Sequence, residues 1–202
     1  YSFLLESVEG GERLARYSFL GSSPSMVFSS KGRKVEIREG GTLRSIEAPD
    51  PLKELERLLS RYKVVKVKGL PRFTGGFVGF LGYDMVRFME DIPDKNDDTL
   101  KAPDSVFMLT DTMLIFDHVD HKIKVVSNAY IKGSASGAYD EALRKIDSIV
   151  KSLSVYRKRE VKALPVKQRM DTINLKSNFT KPEFEKAVRH AKSYIKRGDV
   201  IQ

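Results

Sequence analysis

The chain has 202 residues, 41% hydrophobic and 31% charged, with 11 Phe, 8 Tyr and neither Trp nor Cys. That composition excludes wholesale disorder and leaves enough length for one or two cored domains. The net charge of +9 arises in residues 151–202, which hold 14 basic and 5 acidic residues, because residues 1–150 carry 22 of each sign. A neutral body with one basic end, no basic face and no interleaved stacking aromatics argues against a nucleic-acid partner. Lack of cysteine excludes disulfide scaffolds, thiolate zinc sites and cysteine nucleophiles, and it fits the cytoplasm. No apolar run approaches the roughly 18 residues of a membrane span, so no membrane association is expected. Residues 1–6 have no basic stretch ahead of a long apolar core, so no signal peptide is expected either. The chain begins at Tyr1 rather than Met and stops at Gln202 within a pattern, and both ends are expected to be cut.

In chain order, residues 2–8 read as a strand broken by Gly10-Gly11, and residues 16–20 as a second strand closed by Gly21 and Pro24. Glycine pairs between β-prone runs are hairpin signals. Residues 33–38 alternate charged and apolar side chains, which suits a strand with one wet face. Gly40-Gly41 then turns the chain into a further run at 42–46. The spacing of Leu52, Leu55, Leu58, Leu59 and Tyr62 predicts a helix over 51–62, capped by Asp50 and opened by Pro51. Residues 63–68 (KVVKVK) read as a strand. Residues 73–90 place four glycines among aromatics, and the acidic stretch 91–105, with Pro93 and Pro103, reads as a loop. Residues 106–117 and 122–127 flank His118–His121 as a hairpin. Tyr139, Ala142, Leu143, Ile146, Ile149, Val150 and Leu153 share one side of a helix over 139–153. Residues 155–178 are basic, contain Pro165 and read as a linker or crossing segment. A last helix is announced by Thr180, Pro182 and Glu183, carries a stripe through Phe184, Val188 and Ile195, and is closed by Gly198. The resulting organisation is a domain over 1–154, the segment 155–178, and a helix with the start of a strand over 179–202.

Several groups invite a chemical reading. His118 and His121 lie with Asp117 and Asp120 in one turn. A metal is imaginable there, but a solvated hairpin turn accounts for the same residues. The segment 75–82 (GGFVGFLG) lacks the dinucleotide fingerprint and is not followed by Gly-Lys-Ser/Thr. Its glycines are better read as letting a strand approach other backbone closely, with the aromatics filling a core. Asp84 suits the cap of a short helix, with Arg87 as its partner three residues on. Glu6-Ser7 ends an apolar strand before a glycine turn. Such a pair can receive an ammonium group and hydrogen-bond a carboxylate, or can simply face water at a sheet edge. Composition and spacing thus give a mixed α and β protein and no reaction.

The segments together resemble a known family. Phe3-Leu4-Leu5-Glu6-Ser7, Gly10-Gly11 and 15–21 (ARYSFLG) resemble the opening of anthranilate synthase component I. Residues 75–87 (GGFVGFLGYDMVR) resemble its central glycine-rich signature, and 116–124 its hairpin. Residues 180–202 resemble the first helix of the chorismate-binding domain and the strand start after it. The resemblance implies an α+β fold of mainly antiparallel sheet layers with a few packed helices. It implies an enzyme converting chorismate and ammonia to anthranilate and pyruvate with Mg²⁺. A glutamine amidotransferase subunit would supply the ammonia, in a homo-oligomer of heterodimers. It implies feedback binding of tryptophan by Leu5, Glu6 and Ser7, with Arg16, Tyr17 and Ser18 nearby. The catalytic and metal-binding residues are expected beyond Gln202, so the chain by itself is expected to be inactive. The folate-branch relative, aminodeoxychorismate synthase component I, and a stand-alone amino-acid-binding module remain alternatives.

Overall fold

A computed structural model describes residues 1–6, 16–65, 67–155 and 176–202. The chain divides into two compact units, Tyr1–Tyr156 and Arg157–Gln202. The first unit is α+β. Its described strands are β1 (Ser2–Leu5), β2 (Tyr17–Ser22), β3 (Met26–Lys31), β4 (Lys34–Glu39), β5 (Thr42–Glu47), β6 (Gly76–Leu81), β7 (Ser105–Thr110), β8 (Thr112–Asp117) and β9 (Lys122–Ser127). Helix α1 (Pro51–Leu59) follows β5, a 3₁₀ helix (Tyr83–Phe88) follows β6, and α2 (Ala135–Ser154) follows β9. The strands form two antiparallel sheets, ordered β1-β2-β8-β9 and β5-β4-β3-β7-β6. Among the described residues, no helix is long and apolar enough to cross a membrane.

The core of the five-stranded sheet is Met26, Phe28, Val35, Ile37, Ala48, Leu58 and Leu109. Val35 and Ile37 are the apolar positions of the alternating run in β4, and Phe28 lies between Ile37 and Phe107 in register. Helix α1 closes this face with Leu58, and burying such a leucine contributes about 1.5–3 kcal/mol. Asp50 caps α1 as its sequence suggests, its carboxylate accepting from the Leu52 N–H at 2.9 Å. The helix ends at Leu59, three residues early. The N–H groups of Arg61 and Tyr62 bond back three residues, to Leu58 and Leu59, in tightened turns.

Further readings differ from the structure. Strand β3 goes unread in the sequence although it is central, because Pro24 and three serines resemble turn chemistry. Ser30 is tolerated there since its hydroxyl is hydrogen-bonded to Ser105 across the sheet at 2.7 Å. The described residues of 63–68 form no strand, and Val64, Val65 and Val67 are exposed. β-prone residues need a neighbouring strand to pair with, and these have none. The single run 106–117 is two strands, β7 and β8, that leave Asp111 for different sheets. The corner is held by the Asn128 N–H bonding the Asp111 carbonyl at 2.7 Å and by Lys145 on the Asp111 carboxylate at 2.9 Å. Helix α2 starts at Ala135, where the Ser134 hydroxyl accepts from the Gly137 N–H at 3.3 Å. Along its apolar side Ala142 is buried, while Tyr139, Leu143, Val150 and Leu153 stay exposed.

The glycine-rich segment is β6, and close backbone approach explains it. A Cβ on Gly79 would collide with the Val106 carbonyl oxygen and the Phe107 backbone, and one on Gly82 would lie 2.9 Å from the Asp104 carbonyl oxygen. Its aromatics divide. Phe77 packs against the core, whereas Phe80 and Tyr83 are exposed rather than core-filling. Asp84 does not cap the 3₁₀ helix, which starts from Gly82, but it does pair with Arg87 at 2.8 Å. Arg87 also donates to the carbonyls of Ile92 and Pro93, tethering the start of the acidic loop.

In the second unit, α3 (Lys181–Arg197) begins where Glu183 reaches back to the Thr180 N–H at 2.9 Å. It ends at Gly198 in the left-handed conformation, φ 82°. Of the expected crossing segment, residues 156–175 lie outside the described residues, as do Ser7 and Val8 of the first run.

Two glycine substitutions separate tight approach from helix propensity. Gly79→Ala is expected to lower stability by about 2 kcal/mol through overpacking. Gly137→Ala, where the nearest atom to a new Cβ is Ser134 Cβ at 3.8 Å, is expected to be neutral or up to about 1 kcal/mol stabilising. Urea denaturation of both variants checks the contrast.

Candidate functional site

The residues singled out by sequence gather around the β1–β2 hairpin and the end of β8. Strands β1 and β2 pair antiparallel with Leu5 opposite Phe19, and β2 pairs β8 with Tyr17 opposite Asp117. Paired residues share a face and successive residues alternate. Leu5, Phe19, Tyr17, Ile115, Asp117 and Lys124 therefore occupy one face of the four-stranded sheet, and Ser18 and Phe116 the other.

Asp117 organises that face. Its side chain is fully buried. Arg16 donates to it in bidentate fashion, Nε to Oδ1 and Nη2 to Oδ2, each at 3.0 Å. Lys124 Nζ donates to Oδ2 at 3.0 Å and the Asp120 N–H to Oδ1 at 3.2 Å. Arg16 Nη2 also reaches the Asp120 carboxylate at 3.1 Å. Hydrogen bonding from Arg16 is the main cause that holds the Asp117 carboxyl far below the usual carboxylate range. Burial opposes it, and Lys124 and the Asp120 N–H add to it. The same pairing raises the Arg16 guanidinium.

Both cations also border one ring. The Arg16 guanidinium carbon lies 5.0 Å and Lys124 Nζ 5.9 Å from the Tyr17 centroid, within reach of cation–π attraction. Tyr17 lies 6.1 Å from Phe19, which meets Phe73 edge-on at 5.3 Å. An aromatic wall thus runs from Tyr17 through Phe19, with Leu5 beside it. On the opposite face Ser18 is buried, its hydroxyl hydrogen-bonded to His118 Nε2 at 2.8 Å.

The structure therefore brings Leu5, Arg16 and Tyr17 to one side and turns Ser18 to the other. Glu6 follows the last paired residue of β1 and is exposed, and Ser7 lies outside the described residues. Asp117, Lys124 and Phe19 were missed by sequence reasoning. Asp117 read as part of a solvated turn, but it is buried and ion-paired, and its main partner lies 101 residues away. An aspartate closing a run of apolar residues, with a lysine seven residues on, was the available signal.

The cluster does not suit a metal. The Asp117 oxygens are occupied by cations, and among the described residues no three His, Asp or Glu side chains converge to hold an ion. A cavity of about 690 Å³ lies between α2 and the segments around Ser22–Ser25 and Asp111–Leu114. It contains the Lys145–Asp111 pair and none of the residues predicted for the site.

The heightened acidity of Asp117 in the fold has a consequence for acid stability. A carboxyl more acidic in the folded than in the unfolded chain stabilises the fold above its unfolded value, about pH 3.9, and loses that contribution as pH falls toward its folded value. Asp117→Asn is expected to lower the thermal midpoint at pH 7 and to flatten the part of its decline below about pH 4. Thermal melts from pH 2 to pH 7 measure both.

The chain as a whole is similar to known proteins. The chain is 36% identical to the anthranilate synthase component 1 of Acetivibrio thermocellus over 99% of its own length and 41% of that protein. It is 38% identical to that of Aquifex aeolicus strain VF5 over 100% of its length and 40% of that protein. The crystal structure of anthranilate synthase component I from Streptococcus pneumoniae TIGR4 superposes with a TM-score of 0.62 at 27% identity, covering 98% of this chain and 41% of that one. The chain thus spans about two fifths of the length of the relatives it matches. The family model for chorismate binding enzymes matches residues 2–202, taking in the β1–β2 hairpin, the glycine-rich β6 and α3 alike, and the chain belongs to that family.

Proposed function

We propose that this chain is the N-terminal part of an anthranilate synthase component I, the lyase that turns chorismate and ammonia into anthranilate, pyruvate and water. The observation that carries this reading is the match along the whole chain to proteins of that name at 36% and 38% identity. The reacting groups come from the remainder of the protein. Ammonia comes from a glutamine amidotransferase partner, and the reaction takes place in the cytoplasm. Mg²⁺ takes part in the intact enzyme, but the described residues offer no ligand set for it.

The role of this part is feedback binding of tryptophan. A free amino acid needs a carboxylate for its ammonium, donors for its carboxylate and an apolar wall for its ring. Glu6 takes the ammonium and the Ser7 hydroxyl donates to the carboxylate. Leu5 and Tyr17, continued by Phe19, form the wall. Arg16 supports the wall from its own face, beside the Tyr17 ring, and Ser18 from the opposite face. The Arg16 guanidinium is engaged by Asp117 and Asp120, and the Ser18 hydroxyl by His118.

Activity, inhibition and a Glu6 variant test this reading. The full-length protein, given chorismate, ammonium and Mg²⁺, is expected to form fluorescent anthranilate, and added tryptophan to suppress it. Accumulation of an aminated chorismate instead would assign the protein to the folate branch. The chain alone is expected to form none above the no-enzyme control. Glu6→Gln is expected to raise the tryptophan concentration for half inhibition about tenfold or more, the worth of one charge-assisted hydrogen bond. An unchanged value would remove Glu6 from the site.

A further inference from the structure

We propose that Asp117 and Lys124 are positioning residues of the tryptophan site, which with Arg16 fix the Tyr17 ring as its wall. This rests on the tryptophan reading above.

Tyr17 sits directly opposite Asp117 across the β2–β8 ladder, and Lys124 sits opposite Ile115 across β8–β9. All three share a face, so the ring, the buried carboxylate and the ammonium belong to one layer of side chains. Asp117 is the shared anchor. Its two oxygens hold Arg16 in a planar bidentate pair and hold Lys124 at 3.0 Å. A lysine free to rotate loses its place over a ring. One held at both ends, by the strand and by a carboxylate, does not. The two cations then border the Tyr17 ring at 5.0 and 5.9 Å, attracted to its negative face.

The cluster also spans the sheet. Arg16 lies just before β2, Asp117 ends β8 and Lys124 lies on β9, so one carboxylate ties three segments together beside the β1–β2 hairpin that carries Leu5 and Glu6. Arg16 further takes Asp120 of the β8–β9 turn, and its backbone carbonyl accepts from the His118 N–H at 2.8 Å. The turn and the start of β2 are therefore held as one unit. An apolar wall binds a rigid indole well only if it is rigid before the ligand arrives, because ordering it on binding weakens affinity. Neither Asp117 nor Lys124 needs to touch the ligand to have this effect.

The test uses the full-length protein. The tryptophan concentration that halves anthranilate formation is measured for wild type, Lys124→Met, Lys124→Arg and Lys145→Met, each relative to its own uninhibited rate, with a thermal midpoint alongside. Lys124→Met leaves Asp117 paired with Arg16 and so spares the fold more than Asp117→Asn does. Lys124→Met is expected to raise the half-inhibiting concentration about fivefold, the scale of one lost cation–π contact, and Lys124→Arg to restore most of it. Lys145→Met breaks an ion pair with Asp111 on α2, away from Tyr17, and is expected to leave the half-inhibiting concentration in place. A Lys124→Met protein as sensitive as wild type overturns the inference while the tryptophan reading stands. An equal shift in Lys145→Met also overturns it, since general loosening would then suffice. A wild type insensitive to tryptophan defeats the reading itself, and the inference with it.

Discussion

A carboxylate withdrawn from water must be matched by cations, and in this protein that requirement is met by Asp117 with Arg16 and Lys124. The three residues stand before β2, at the end of β8 and on β9. Their pairing therefore specifies which strands of the four-stranded sheet lie side by side and in which register. An isolated buried charge would be strongly unfavourable, and alternatives that separate it from its partners are disfavoured accordingly. The aromatic wall of Tyr17 and Phe19 is built on that frame. So is the hairpin that presents Leu5 and Glu6.

The second constraint is the corner at Asp111. Consecutive apolar strands β7 and β8 belong to different sheets, and the chain changes sheet at one residue. The backbone of Asp111 is held by Asn128 and its side chain by Lys145. Asn128 also donates to the Thr74 carbonyl at 2.7 Å, tying the approach to β6 to the same point. Glycine then lets β6 lie against β7, because side chains at Gly79 would overlap the neighbouring backbone. The glycine-rich signature is thus a packing device, with no phosphate-binding role required of it.

Within the chorismate-binding family, the chain corresponds to about two fifths of its relatives. The proposed division of labour follows from what that part contains. It has a buried ion-pair cluster, an aromatic wall and an exposed glutamate at a strand end, which suit recognition of a small zwitterion. Its described residues bring together no set of groups for the chemistry of chorismate. Regulation through such a site is a coupling between two places in one protein. In the proposed site, the wall held by Asp117 is where that coupling would start.

Local patterning was legible in the sequence where the physics is local. The alternation in β4, the Asp50 cap and Pro51 of α1, the Thr180–Glu183 start of α3 and the left-handed Gly198 each depend on residues within a few positions. Family resemblance supplied the candidate site at Leu5, Glu6 and Ser7, with Arg16, Tyr17 and Ser18. Interactions between distant residues were not legible. Strand β3 was hidden because Ser30 is satisfied by residues far along the chain, Ser105 across the sheet and the Met85 sulfur. Residues 63–68 had strand propensity but no partner to pair with. The apolar run 106–117 gave no sign of changing sheets. The sequence by itself determined the mixed α and β content and the caps that start α1 and α3, and through its family resemblance the α+β class and the chemical types at the candidate site. The tertiary structure alone decided that Arg16 is held by Asp117, that Ser18 faces away from Tyr17, and that Lys124 joins the ring. These are pairings across strands, and one residue of register reverses the face on which every side chain stands.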